Sequence, residues 1–344
     1  MREPHRPSAR RHGDGALNRI EVFLEANRER LGLEQYGLRE PASYVLVTPR
    51  FRASRHVVFL VLPRESAEPA LVAKIPRLKR DTGGLAREYA GLTAAQKAPV
   101  LAGTIPQIVA FEESLLVETA LQGAPLTRSD VRRLANLVQT VVDWLLALPR
   151  VLGHEVDYSR LLEAPLRRVS EELGGTETEL VERTLKLVAP LRGASLPLTL
   201  EHGDLSEPNL IRLDGGRVGL VDWELSEPGG LPAHDLFFFL AYVAFARTRA
   251  ASSDEQVAAV HDAVVAPDGW ARPVAVDYAR RAGVPCALLG PLFVATWARY
   301  FAGLLERLGR GGLRPETAEW LVANRFHALW RLAVEHADGL EWPE

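Results

Sequence analysis

The residues best placed to do chemistry lie between positions 198 and 224. Leu198-Thr199-Leu200-Glu201-His202-Gly203-Asp204-Leu205-Ser206-Glu207-Pro208-Asn209-Leu210-Ile211 sets Asp204 five residues before Asn209, on a loop that runs into an apolar strand. Asp214-Gly215-Gly216-Arg217 then signals a hairpin turn, and Val218-Gly219-Leu220-Val221 returns the chain so that Asp222 can face Asn209. Metal-assisted phosphoryl transfer uses such a set. One carboxylate orients the attacking hydroxyl, while an amide oxygen and a second carboxylate offer hard oxygen ligands to magnesium. Taken singly, each of the three reads as a turn residue or a loop cap. Together, beside His202-Gly203 and a hairpin, they read as a site.

The elements that must position them follow from periodicity. Ala16 to Leu31 has helical spacing of Leu17, Ile20, Phe23, Leu24 and Leu31. Tyr44 to Thr48, Val57 to Leu62 and Ala70 to Ile75 are short Val/Leu-rich runs closed by prolines, which predicts a small antiparallel sheet. A helix from Gly83 to Gln96 and two further strands, Gln107 to Phe111 and Leu115 to Leu121, complete this part. Beyond Pro125 long helical periods take over, beginning with a single helix over Ser129 to Leu148. Helices at about 159 to 173 and 176 to 191 follow, then one β interruption between Leu198 and Glu224, then helices to the end. The division expected is a disordered tail at 1–15, a β-rich lobe at 16–121, a hinge at 122–126 and a helical lobe at 127–344. The fold class is α+β and bilobal, with a cleft between the lobes for a ligand.

His202-Gly203-Asp204-Leu205, Asn209 and Val221-Asp222-Trp223-Glu224 together resemble the aminoglycoside phosphotransferase and choline kinase-like family, over roughly Val45 to Glu335. The resemblance implies a protein-kinase-like fold and phosphorylation of a small-molecule hydroxyl with ATP (or GTP) and Mg2+. It makes Asp204 the catalytic base, Asn209 and Asp222 the magnesium ligands, His202 a structural anchor of the loop and Asp235 its support.

A kinase-like cleft also needs a cation on a central strand and a carboxylate on the next helix. Lys74, in Leu71-Val72-Ala73-Lys74-Ile75, and Glu88 meet that need. Only four of the 41 basic residues are lysines, so a lysine flanked by apolar residues stands out. The loop from Thr48 to His56 has no glycine and departs from the protein-kinase pattern; Ser54 is aligned with the phosphate-loop serine of antibiotic and choline kinases, and Val57 with the roof over the adenine. Leu116 to Ala120 is the expected base-reading segment, with the backbone of Glu118 and Ala120 facing the adenine edge.

At 344 residues the chain has room for about two domains at roughly 150 residues each. A net charge of −3 provides no global field toward nucleic acid or an anionic membrane. The apolar stretches Leu236 to Ala246 and Cys286 to Ala298 are shorter than the ~20 residues a span requires, so no transmembrane helix is expected. Cys286 is the sole cysteine, which excludes an internal disulfide and fits a cytoplasmic protein. Phe237, Phe238 and Phe239 read as core. The acceptor is expected to be a small hydroxylated molecule: an aminoglycoside or other antibiotic, a sugar or an amino alcohol. For a polyamine, Glu224, Glu227, Asp254, Glu255, Glu306 and Glu319 are the carboxylates that could give the pocket a negative wall; for a neutral sugar, Trp297 or Trp320 could stack. The competing class is a catalytically inactive, nucleotide-binding or scaffold protein of the same fold. Phosphorylation of a protein side chain fits less well, because the segment after Asp222 is short and lacks an Asp-Phe-Gly signature.

Overall fold

Alternating apolar residues in five short runs build the first layer of the computed structural model, which describes residues 10–39, 42–47, 56–78, 81–309 and 313–342. Strands β1 (Ser43–Val47), β2 (His56–Leu62), β3 (Leu71–Pro76), β4 (Ile108–Glu112) and β5 (Leu115–Thr119) form an antiparallel sheet in the order β1-β2-β3-β5-β4. Phe59, Ala73 and Val117 are aligned across β2, β3 and β5 and buried on one face with Ile20 and Leu24 of α1 (Arg10–Ala26). This helix begins at Arg10 rather than at Ala16. By the two-residue period of a strand, Lys74 and Glu118 share the opposite face, the one that looks into the cleft. Between β3 and β4 lies α2 (Gly83–Ala95), which packs against the sheet and the second lobe.

The second lobe is mainly helical: α3 (Arg128–Arg133), α4 (Leu137–Leu146), α5 (Ala164–Leu173), α6 (Thr176–Leu187), α7 (His234–Thr248), α8 (Ser253–Val260), α9 (Ala271–Ala282), α10 (Leu289–Gly309), α11 (Pro315–Val322) and α12 (Arg325–His336). The helix expected over Ser129 to Leu148 is two. Leu134 leaves helical geometry at φ −82°, ψ 94°, so that α3 can follow α7 while α4 turns toward α9 and the hairpin at 210–220. Helix α7 is apolar all round, with Phe237, Phe238 and Phe239 buried, as a helix enclosed on every side must be. The segment Cys286–Gly309 is long and apolar enough to cross a membrane, yet it is largely buried among α5, α7 and α12. It continues through Pro291 because that residue sits in the first turn of α10, where no backbone N–H is required.

Two small sheets complete the lobe. The strands β6 (Ala124–Pro125), β9 (Leu210–Arg212) and β10 (Val218–Leu220) form one sheet in the order β10-β9-β6; β7 (Arg150–Glu155), β8 (Ser195–Glu201) and β11 (Glu227–Gly230) form another in the order β11-β8-β7. Strands β7 and β11 were not expected. Arg150–Glu155 has no apolar alternation and Glu227–Gly230 reads as a turn; both are ordered by pairing with the buried β8.

Candidate active site

The turn between β9 and β10 falls at Asp214–Gly216, as the hairpin signal requires. Upstream of it, the catalytic-loop backbone is held from below. Asp235, in the first turn of α7, accepts the N–H of His202 at 2.6 Å and of Gly203 at 2.8 Å. The His202 ring is buried edge-on to Trp223, with Nε2 3.0 Å from the Val221 carbonyl, and its Nδ1 accepts the Asp204 N–H at 3.3 Å. Burial lowers its pKa to about 3, so the ring is neutral and carries its proton on Nε2.

Gly203 is held at φ +84°, and a Cβ there would sit 2.4 Å from the Leu225 carbonyl oxygen. Gly203→Ala combines left-handed strain of about 1–2 kcal/mol with that overlap. It should lower the unfolding midpoint clearly in a thermal melt; a variant as stable as wild type would contradict the close packing of loop against loop.

Asp204 is half-buried, and loss of water together with the nearby Asp222 raises its pKa to about 7. The amide of Asn209 donates to the Asp204 carbonyl at 2.8 Å and to its carboxylate at 3.2 Å, which leaves the Asn209 Oδ1 as an acceptor. Asp222 follows β10 with φ 69°, a left-handed conformation uncommon outside glycine that turns its carboxylate back toward the small lobe.

There it meets Lys74. Lys74 Nζ lies 3.8 Å from Asp222 Oδ1 and 3.1 Å from Glu118 Oε1, and it is bonded to Glu88 Oε1. The same Glu88 oxygen accepts the Trp223 N–H at 3.1 Å, so one carboxylate ties β3, α2 and the segment after the hairpin together. Nearby, Ser226 Oγ donates to the Arg87 carbonyl at 2.9 Å, Arg87 Nε donates to the Glu224 carbonyl at 3.1 Å, and His56 Nδ1 lies 3.0 Å from Glu224 Oε2. One ammonium therefore faces three carboxylates. Burial pushes Glu88 and Glu118 up against the pull of Lys74, while Lys74 is held well above its usual value because these partners outweigh its own desolvation.

This donor set fits a hard divalent cation. Among the described residues no three His, Cys, Asp or Glu side chains form a ready metal cage. Asn209 and Asp222 instead supply two oxygens, which suits Mg2+ because it takes its remaining ligands from phosphates and water. The excess of negative charge around Lys74, with Glu88 Oε2 and Glu118 Oε2 buried and unpartnered, also favours a cation beside them.

Of the residues singled out in the sequence, Lys74, Glu88, Asp222, Asp204 and Asn209 come together around the cleft. Ser54 lies outside the described residues. Val57 is in β2, paired with Ile75 and packed toward the small-lobe core, so its side chain points away from the face that bears Lys74. The base-reading assignment also changes. Strand β5 is interior, bonded to β3 on one side and β4 on the other, and the Ala120 N–H donates to the Ala70 carbonyl at 3.0 Å. The Glu118 side chain lies on Lys74, and the Ala120 carbonyl stays outside the sheet pairing, 3.5 Å from the Gln122 side-chain amide. A lone acid in Leu115-Leu116-Val117-Glu118 was the signal, as the lone Lys74 was in β3.

A cavity of about 510 Å3 opens beside Gly203, next to Asp204. Of the carboxylates expected to form a negative wall for a polyamine, Glu227 and Glu306 line it. Five arginines, Arg87, Arg160, Arg168, Arg299 and Arg307, line it against three glutamates, Glu201, Glu227 and Glu306. Of the other expected carboxylates, Glu224 pairs with His56, Glu255 caps α8 and Asp254 lies in the same first turn of α8, while Glu319 is on α11. Trp297 is fully buried in the core and cannot stack on a ligand, and Trp320 lines other cavities, away from Asp204.

Residues 50–275 match the sequence profile of the phosphotransferase enzyme family, APH. No curated protein sequence matches the chain. Among solved structures, a choline kinase from Streptococcus pneumoniae superposes with a TM-score of 0.56 at 13% identity, covering 91% of this chain and 99% of that one. A choline/ethanolamine kinase family protein from Mesorhizobium loti gives 0.53 at 15%, covering 90% and 98%. An ethanolamine kinase from Plasmodium vivax gives 0.52 at 13%, covering 84% and 82%. At these identities the shared property is the bilobal, protein-kinase-like fold.

Proposed function

Because the chain belongs to the phosphotransferase enzyme family, we propose that it transfers the terminal phosphoryl group of ATP or GTP, with Mg2+, to a hydroxyl of a small molecule. The observation that carries this reading is the meeting of Lys74 and Glu88 from the small lobe with Asp222 from the large one, beside the Asp204 and Asn209 pair. Lys74 would meet the phosphate oxygens, oriented by Glu88. Asn209 Oδ1 and Asp222 would hold Mg2+, whose positive charge offsets that on the transferring group. Asp204 would orient the acceptor hydroxyl and take its proton, a task suited to a carboxyl that titrates near neutral pH. A cytoplasmic location, where ATP is abundant and Cys286 stays reduced, accompanies this reading. The test is nucleotide consumption by the purified protein with Mg2+ over hydroxylated antibiotics, sugars, hydroxy acids and amino alcohols. Tight ATP binding with no turnover of any acceptor would favour the inactive scaffold instead.

The pH profile gives a sharper expectation. Asp204 must be ionised to accept a proton, and its pKa is about 7. With an acceptor that does not itself titrate, kcat/KM should therefore level off at high pH and fall about tenfold per unit below the Asp204 pKa, which Mg2+ on Asp222 would bring below its metal-free value. A profile with no acid limb down to the ordinary carboxylate range would exclude Asp204 as the base.

A further inference from the structure

Resting on the phosphotransferase reading, we infer that the acceptor is an anion, a hydroxylated molecule bearing a carboxylate or a phosphate, and that Arg307 binds its charge. Gly203, the residue before Asp204 on the same loop, lines the cavity, which gives room there for the remaining atoms of an acceptor whose hydroxyl reaches Asp204. Two of its three carboxylates are already neutralised by arginines of the same wall. Glu201 makes a bidentate pair with Arg299 at 2.6 and 2.9 Å and also accepts the Leu231 N–H, while Glu227 is 2.7 Å from Arg160. The third, Glu306, is exposed. His234 adds no negative charge, and burial lowers its pKa to about 4, which keeps it neutral.

Arg307 is the arginine that stands apart. It is half-buried, two turns along α10 from Arg299, and engages no carboxylate within ion-pair distance among the described residues. Its guanidinium lies 5.5 Å from the Tyr300 ring and folds back along the helix over Gly303, where a Cβ would be 3.4 Å from Nη1. A planar guanidinium on the wall of this cavity is shaped for two parallel hydrogen bonds to a carboxylate or phosphate. A cationic acceptor, by contrast, would meet the Arg307 guanidinium with the wall carboxylates Glu201 and Glu227 already paired. Choline and ethanolamine, for which the superposable kinases are named, are such cations.

The experiment compares acceptors of one skeleton and different charge with ATP and Mg2+: gluconate, glucose 6-phosphate, glucose and glucosamine, and likewise glycerate, glycerol 3-phosphate, glycerol and ethanolamine. Turnover should favour the anions at least tenfold in kcat/KM and decline with added salt. Preference for gluconate and glycerate identifies a carboxylate as the anchored group, and preference for the phosphate esters a phosphate. Arg307→Gln should raise the KM of the preferred anion about ten- to hundredfold and leave the KM of ATP unchanged, with Arg307→Lys recovering part of the loss. A matching melting curve establishes that the variant is folded. Higher turnover of the amines or the neutral alcohols overturns the inference and leaves the phosphotransferase reading standing. So does an Arg307→Gln effect on the KM of ATP alone, which would assign the guanidinium to the nucleotide. Consumption of no acceptor of any charge overturns both.

Discussion

Asp204→Asn is expected to lower kcat by about 10²–10⁴, the range seen when a general base is removed, while binding of an ATP analogue with Mg2+ changes little. The substitution is nearly isosteric. It keeps the backbone N–H that Asp204 donates to His202 Nδ1 and the carbonyl that accepts from Asn209, so the loop should hold its shape. What it removes is the proton acceptor and one negative charge near Asp222. Losing that charge should, if anything, ease nucleotide binding. Steady-state kinetics and calorimetric titration on one preparation separate the two effects. A variant with wild-type kcat would eliminate Asp204 as the base, and one that has lost nucleotide binding would show the residue acting on the phosphates.

Lys74→Ala should be the most damaging single change to both stability and binding. Lys74 is 4% exposed and, among the described residues, is the only ammonium facing Glu88, Glu118 and Asp222. Removing one partner of a buried ion pair typically costs about 3–5 kcal/mol, because the remaining charge is left without compensation. The pH dependence has a definite sign. Burial already raises the carboxyls of Glu88 and Glu118 above their values in an unfolded chain, and without Lys74 they rise further. Carboxyls raised on folding bind more protons folded than unfolded, so the variant should regain stability as pH falls from neutral toward 5. Lys74→Met, which keeps the side-chain volume, should show the same trend and thereby exclude a cavity as its cause. Unfolding midpoints across pH and an ATP titration provide the readouts. A variant that melts like wild type and binds ATP equally well would remove Lys74 from the phosphate site.

The closing contact between α2 and the segment after the hairpin depends on residues of small size and polar reach. Gly91 lies where a Cβ would be 2.2 Å from Ser226 Oγ, and Glu88 lies one turn earlier on the same helix, against Trp223. The lobe arrangement and the ion-pair cluster are therefore one structure, and what perturbs the charges around Lys74 should also loosen the cleft.

Much of the proposed phosphoryl-transfer centre was legible in the amino-acid order because its signals are local. The Asp204 to Asn209 spacing, the Gly-Gly hairpin and Asp222 lie within one continuous stretch, and Lys74 stands out within a six-residue strand, so short-range turn and strand preferences suffice to place them. The phenylalanines of α7 declared themselves as core by the same local logic. Other features depend on which distant surfaces meet. Glu118 could offer either its backbone or its side chain, and only the sheet order, with β5 interior, settles that its side chain turns to Lys74. Strands β7 and β11 exist because β8 has two edges to satisfy. The break at Leu134 follows from two helices packing on different neighbours. The sign of the cavity is the clearest case. Its charges come from α2, the turn before α5, α5 itself, β8, β11 and α10, and a guanidinium counts toward a ligand only when no nearby carboxylate engages it. Residue types and spacing specify where charges lie along the chain; which of them remain unneutralised is decided by long-range packing.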